Sequence, residues 1–108
     1  MDEYGWASSP GMPAAEVVRA SWATTVAALP VRSQITGAVI GRRPFGVFIR
    51  IEGAPCAIAL AEITRMPLGV HLPALGASVS GEVYWHDDRH HQVRVRLDEW
   101  REPMRDRT

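Results

Sequence analysis

The chain of 108 residues contains no lysine: all twelve of its basic residues are arginine, and twelve acidic residues bring the formal net charge to zero. The excess of Arg, with Ala, Gly, Val and Pro, fits GC-rich codon usage as well as it fits selection for guanidinium chemistry. Balanced charge speaks against a protein that coats nucleic acid nonspecifically, since such proteins show a basic excess. A single cysteine, Cys56, excludes an internal disulfide. No apolar run approaches the roughly 18 residues of a membrane span, so a membrane partner is not expected. There is no HExxH, no Gly-rich phosphate loop and no nucleophile elbow, and no catalytic activity or cofactor is expected. The stretch MDEYGWASSPGMP carries acids where a signal peptide carries positive charge. With the lone cysteine, this points to a reducing cytoplasm.

What is present is one domain's worth of chain, because about 100 to 150 residues is the common size of a single core. Residues 1–13 are rich in Gly, Pro and Ser without periodicity and read as a mobile leader. From 14 to 29 the apolar positions Val18, Trp22, Val26 and Leu29 share one helical face, with Pro13 and Pro30 as start and stop. This predicts one amphipathic helix whose Trp22 stripe packs on the domain. From Val31 the period becomes two. Val31, Ile35 and Val39 line one side of a first strand, opposite Arg32, Gln34, Thr36 and Arg42, and Gly37 permits a bend. After Pro44 and Gly46, a second strand faces Val47, Ile49 and Ile51 inward, with Phe48 and Arg50 outward. PCAIAL is a third apolar run, with Cys56 as a small wall residue, and AEITRM reads as a helical turn. Beyond a Pro/Gly/Leu loop to Gly76 comes a hairpin. Val79, Val83 and Trp85 alternate on its first arm and Val93, Val95 and Leu97 on its second, while Gln92, Arg94 and Arg96 face outward. Residues 98–108 read as a turn and a frayed tail.

The densest signal is GRRPFGVFIRIEG, residues 41–53, in which Phe45 and Phe48 are threaded among Arg42, Arg43 and Arg50. Residues 31–51 contain no acid, so basicity is local although the whole is neutral. Five short strands with a long connection between the third and fourth describe a mainly β, closed Greek-key barrel of the OB type, with the amphipathic helix added before it.

The segment GAVIGRRPFGVFIRIEG resembles the opening of the RNA-binding domain repeated in ribosomal protein S-one. There a Gly-x-Val strand leads into a Phe-Gly-x-Phe strand and a glycine turn. IALAEI is similar to that family's third strand, and GASVSGEVYWHDD with QVRVRL to its last hairpin. The resemblance covers about residues 31–97. It implies single-stranded RNA as partner, with Phe45 and Phe48 stacking on bases. Asp87 or Asp88 takes the family's acidic position; the arginine position falls on His91 or Gln92, and Arg94 substitutes from beside it. The family's third-strand histidine is Ala59 here. Phe48 next to Arg50 offers a π surface and a planar cation, and Arg42, Arg43, Arg94 and Arg96 can meet phosphates. The candidate RNA-binding set is thus Phe45, Phe48, Arg50, Arg42, Arg43, Asp88, His91, Arg94 and Arg96.

Two other readings compete. In one, the barrel is a protein-interaction module whose binding face is repurposed, with the N-terminal helix, Trp6 and Trp100 meeting a protein partner. In the other, HDDRHH, residues 86–91, holds a metal; its ligand types fit, but a hairpin tip is too exposed and mobile, and a polar turn is the better reading. No metal is expected, and His71 receives no role.

Overall fold

The structure is a computed structural model and describes residues 12–101. Two short helices, α1 (Ala15–Ala20) and α2 (Trp22–Ala28), precede strands β1 (Gln34–Arg43), β2 (Gly46–Ile51), β3 (Ile58–Glu62), β4 (Ser78–Asp87) and β5 (Gln92–Leu97). A 3-10 turn, Ile63–Arg65, follows β3, and another, Asp98–Trp100, follows β5. The strands close in the order β1-β2-β3-β5-β4. All pairings are antiparallel except β3 with β5. This is the five-stranded OB-type barrel that the period-two pattern and the glycines predict.

Alternation fills the interior. Ile35, Val39, Val47, Ile49, Ile51, Val79, Val83, Val93, Val95 and Leu97 are all buried in one cluster. Closure requires β1 to cross close over β2, and Gly37 permits it: a Cβ there would lie 2.2 Å from the Arg50 carbonyl oxygen. Two bulges set the remaining geometry. One lies between Val39 and Gly41, the other between Val83 and Trp85. An extra residue in one strand turns the side chains beyond it to the other face.

Several sequence expectations need correction. The helix over 14–29 is interrupted at Ser21, whose backbone (φ −94°, ψ 2°) departs from helical dihedrals, so two short helices stand where one was expected. The first strand begins at Gln34, and Val31, 48 % exposed, lies in the preceding turn. Cys56 is exposed in the β2–β3 turn and is not a wall residue. Trp100 is buried against the core cluster, so it is not a free anchor for a partner. The leader, apart from Met12 and Pro13, lies outside the described residues, as do Trp6 and the tail beyond Arg101.

The largest correction concerns Phe48. Its ring is on the outer side of β2 as expected, yet it has no exposed surface, because it forms a second cluster with Val18 of α1 and with Ile58 and Leu60 of β3. Phe45, Ile40 and Met12 pack at the margin of this cluster. The amphipathic face of α1 is therefore spent on covering the outer wall of β2 and β3. Truncating a fully buried phenylalanine costs about 3–5 kcal/mol. Phe48→Ala is expected to lose stability of that order in urea denaturation, and a loss below about 1 kcal/mol would show that the ring faces solvent.

Candidate nucleic-acid interface

The register aligns one row of outward residues across four strands: Phe48 on β2 faces Leu60 on β3, and Leu60 faces Arg94 on β5. Arg94 in turn faces Trp85 on β4. Ala59, which the resemblance equated with a histidine, is inside the barrel opposite Ile49. The outward neighbour of Phe48 is the apolar Leu60. One half of the row, Phe48 and Leu60, is buried under α1, while the other half ends on a ring open to solvent.

That ring is Trp85, 53 % exposed. Sequence alternation assigns it to the core, but the extra residue of the β4 bulge, Tyr84, turns Trp85 outward and gives His86 the place opposite Val93. The Arg94 guanidinium lies over its ring, 5.6 Å from the centroid. Tyr84 is also on the outer surface, half-buried, with the Arg65 guanidinium 4.4 Å from its ring centroid. Two aromatic–arginine pairs therefore sit side by side at the bulge. Neither Tyr84, Trp85 nor Arg65 belonged to the expected set. The signal in the sequence was the Tyr-Trp pair immediately before the acidic turn.

Arg94 does not stand free for phosphate. Its guanidinium is buried in a short ion pair with the Asp87 carboxylate and in a second with Glu62 at 2.9 Å. Asp87, also buried, accepts hydrogen bonds from the backbone N–H groups of Arg89 and His90 at 3.1 and 3.2 Å, and from the His90 ring at 2.8 Å. It thereby fixes the turn between β4 and β5. Burial pushes the Asp87 carboxyl up, but the His90 side-chain and backbone hydrogen bonds and the charges of Arg94 and His90 outweigh it, holding the group below its ordinary 3.8. Asp87, not Asp88, is the acid tied to the arginine.

The rest of the HDDRHH turn grips α2. Asp88 accepts a hydrogen bond from the Trp22 indole at 2.8 Å, and the His86 ring donates to the Leu29 carbonyl at 2.7 Å. Trp22 meets the His86 and His91 rings edge-on at 6.3 and 5.7 Å. His91 reaches this position in the left-handed region, with φ 58°. Asp88 and His91, expected at an RNA surface, thus anchor the helix that lies beside it. Gln92 is fully buried with both amide atoms unpartnered, and is not an exposed outward residue.

Of the other expected residues, Phe45 is half-buried and edge-on to Phe48 at 6.0 Å. Arg42 is exposed and donates to the Leu72 carbonyl, and Arg43 donates to the Arg42 carbonyl. Arg50 is exposed on β2, and Arg96 is exposed on β5, 3.8 Å from Glu82. The structure therefore separates the expected set into a covered apolar part, a locked ionic part and a scatter of exposed arginines.

A carboxyl held below its ordinary pKa stabilises the fold above that value and loses the contribution as pH falls through the folded pKa. Removing one partner of a buried ion pair costs about 3–5 kcal/mol. Asp87→Asn is expected to lower stability by roughly 3 kcal/mol at neutral pH, with the gap to wild type closing as the pH is taken below 3.8. Urea denaturation across that range checks it, and a pH-independent gap would contradict the ionic role.

No family model matches the chain and no curated protein matches it. Among solved structures, the barrel is similar to the apo form of RNase R from Mycoplasma genitalium, with TM-score 0.60, 15 % identity, and coverage of 72 % of this chain and 15 % of that one. It is similar to a chain of the a/eIF2alpha–aDim2p–rRNA complex from Pyrococcus horikoshii OT3, with TM-score 0.55, 18 % identity, and coverage of 64 % and 44 %. It is similar also to GSP13 from Bacillus subtilis, with TM-score 0.56, 19 % identity, and coverage of 74 % and 65 %. This chain spans only 15 % and 44 % of the first two proteins. At such identities the likeness is one of fold alone, a five-stranded barrel of the OB type.

Proposed function

We propose that this barrel binds single-stranded RNA, weakly and with little sequence preference, as a binder and not a catalyst. The observation that carries the reading is Trp85: a large ring, 53 % exposed, with a guanidinium over it and arginine-bearing strands on either side. A base stacked on an aromatic ring contributes about 1–3 kcal/mol whatever its identity, which accounts for tolerance of sequence. One open ring, with half-buried Phe45 across the row, gives low affinity. The exposed Arg50, Arg42, Arg96 and Arg65 supply phosphate contacts, each adding about −0.7 to the salt slope on a single strand. Supporting the reading, M. genitalium RNase R, similar in fold, has also been solved in complex with ribose methylated single-stranded RNA.

A second reading has one observation in its favour. The Phe48 face is already filled by Val18 of α1, which is what a barrel repurposed for protein contacts would show. The two readings part at Trp85. Trp85→Ala removes an exposed ring and is expected to leave the unfolding midpoint close to wild type while weakening a labelled single-stranded RNA about tenfold in fluorescence anisotropy. Unchanged RNA affinity in that variant, or no binding by wild type at low salt, would reject the proposal in favour of a protein partner.

A further inference from the structure

Against Tyr84 lies a groove of about 330 Å³ whose walls include Arg32, Arg65 and Arg96, with Glu82. Its arginines come from three places in the chain: the turn before β1, the 3-10 turn after β3, and β5. The fold therefore gathers them, not a local run of charge. Arg32 is held with φ 86°, a strained backbone for a side-chain-bearing residue, fixed by its N–H to the Val83 carbonyl at 2.7 Å.

The acids near this groove are already engaged. Glu82 accepts from Arg101 at 2.6 Å and lies farther from Arg96, at 3.8 Å. Glu62 is taken by Arg94 at 2.9 Å and by the Tyr84 hydroxyl at 3.2 Å. Arg32 and Arg65 make no ion pair among the described residues. Three guanidinium groups line the groove and its one carboxylate, Glu82, is already paired with Arg101, so the groove carries uncompensated positive charge. A phosphodiester of an RNA chain carries one negative charge, whereas a phosphate monoester carries about 1.5 to 2 at neutral pH. The groove is matched to the second.

A second groove, of about 490 Å³, is lined by Trp85 and Thr64 and shares Arg65, Tyr84 and their stacked pair with the first. Because Tyr84 and Trp85 are consecutive at the bulge, the two grooves lie within one nucleotide's reach. Each ring carries a guanidinium on one face, Arg65 on Tyr84 and Arg94 on Trp85, but Tyr84 is half-buried and Trp85 is 53 % exposed, so the open ring for a base is Trp85. We infer that the groove of Arg32, Arg65 and Arg96 is a subsite for a phosphate monoester, the terminal phosphate of a single-stranded RNA whose end base stacks on Trp85. This rests on the RNA-binding reading and adds to it a preference for a phosphorylated end.

The test uses the full chain and one short single-stranded RNA in three forms: 5′-phosphorylated, 3′-phosphorylated, and hydroxyl at both ends, followed by fluorescence anisotropy. Charge-assisted hydrogen bonds of this kind make about a tenfold difference in affinity. The inference expects one phosphorylated form to bind about tenfold tighter than the hydroxyl form, and the gain to vanish in Arg32→Gln/Arg65→Gln. Which end gains identifies the source of the phosphate. Equal affinity for all three forms would overturn the subsite while leaving RNA binding standing. If no form binds, the RNA reading fails, and an NMR titration with adenosine 5′-monophosphate against adenosine decides the subsite by itself. Shifts at Tyr84 and Arg65 with the monophosphate alone would uphold it, and their absence would overturn it.

Discussion

Arg94 is the interaction on which the outer surface depends. Its guanidinium joins β5 to the end of β3 through Glu62 and to the last residue of β4 through Asp87. Asp87 also holds the backbone of the following turn, and that turn holds α2 by way of Asp88 and Trp22. Glu62 accepts from Tyr84, and Arg94 itself lies over Trp85. A buried ion pair contributes little net stability against an apolar substitute, but it punishes loss of one partner severely. Here it fixes a register: the exposed ring meets the guanidinium directly, Tyr84 at the bulge shares Glu62 with it, and the helix anchor follows in the turn that Asp87 holds.

The helices divide the row of outward residues that this register creates. Neither α1, six residues long, nor α2, seven, has a side-chain cap, so their stability derives from burial. Val18 is the residue that α1 buries, and it does so on Phe48, Ile58 and Leu60. The aromatic that the resemblance assigned to base stacking is part of the protein's own packing. Trp85, at the other end of the row, stays open to solvent.

The barrel was legible in the sequence because strands buried on one face write their period directly, as in Val47, Ile49 and Ile51, and because Gly37 marks a place where backbones meet. The site was legible only in part. PCAIAL is apolar on both faces of its strand, since Ala57 and Ala59 fill the interior while Ile58 and Leu60 meet α1. That continuous run was the available sign that the wall beside Phe48 is covered. Trp85 was misassigned because one inserted residue at Tyr84 reverses the alternation, and a bulge leaves no unambiguous mark in composition. The choice of Asp87 over Asp88 depends likewise on the bulge, and Arg65 enters the surface only through the turn after β3.

The central claim is that the open stacking surface is Trp85 and that the Phe48 wall stays closed under α1. The indole N–H signals of the four tryptophans allow a direct measurement by ¹H–¹⁵N NMR as a short single-stranded RNA is added. The account predicts that the Trp85 indole moves, together with amides of Tyr84 and Arg65, while Trp22 and Trp100 and the amides of Val18 and Ile58 hold their positions. Movement of Trp22, Val18 and Ile58 with Trp85 unchanged would contradict it, placing the contact on the Phe48 wall with α1 displaced.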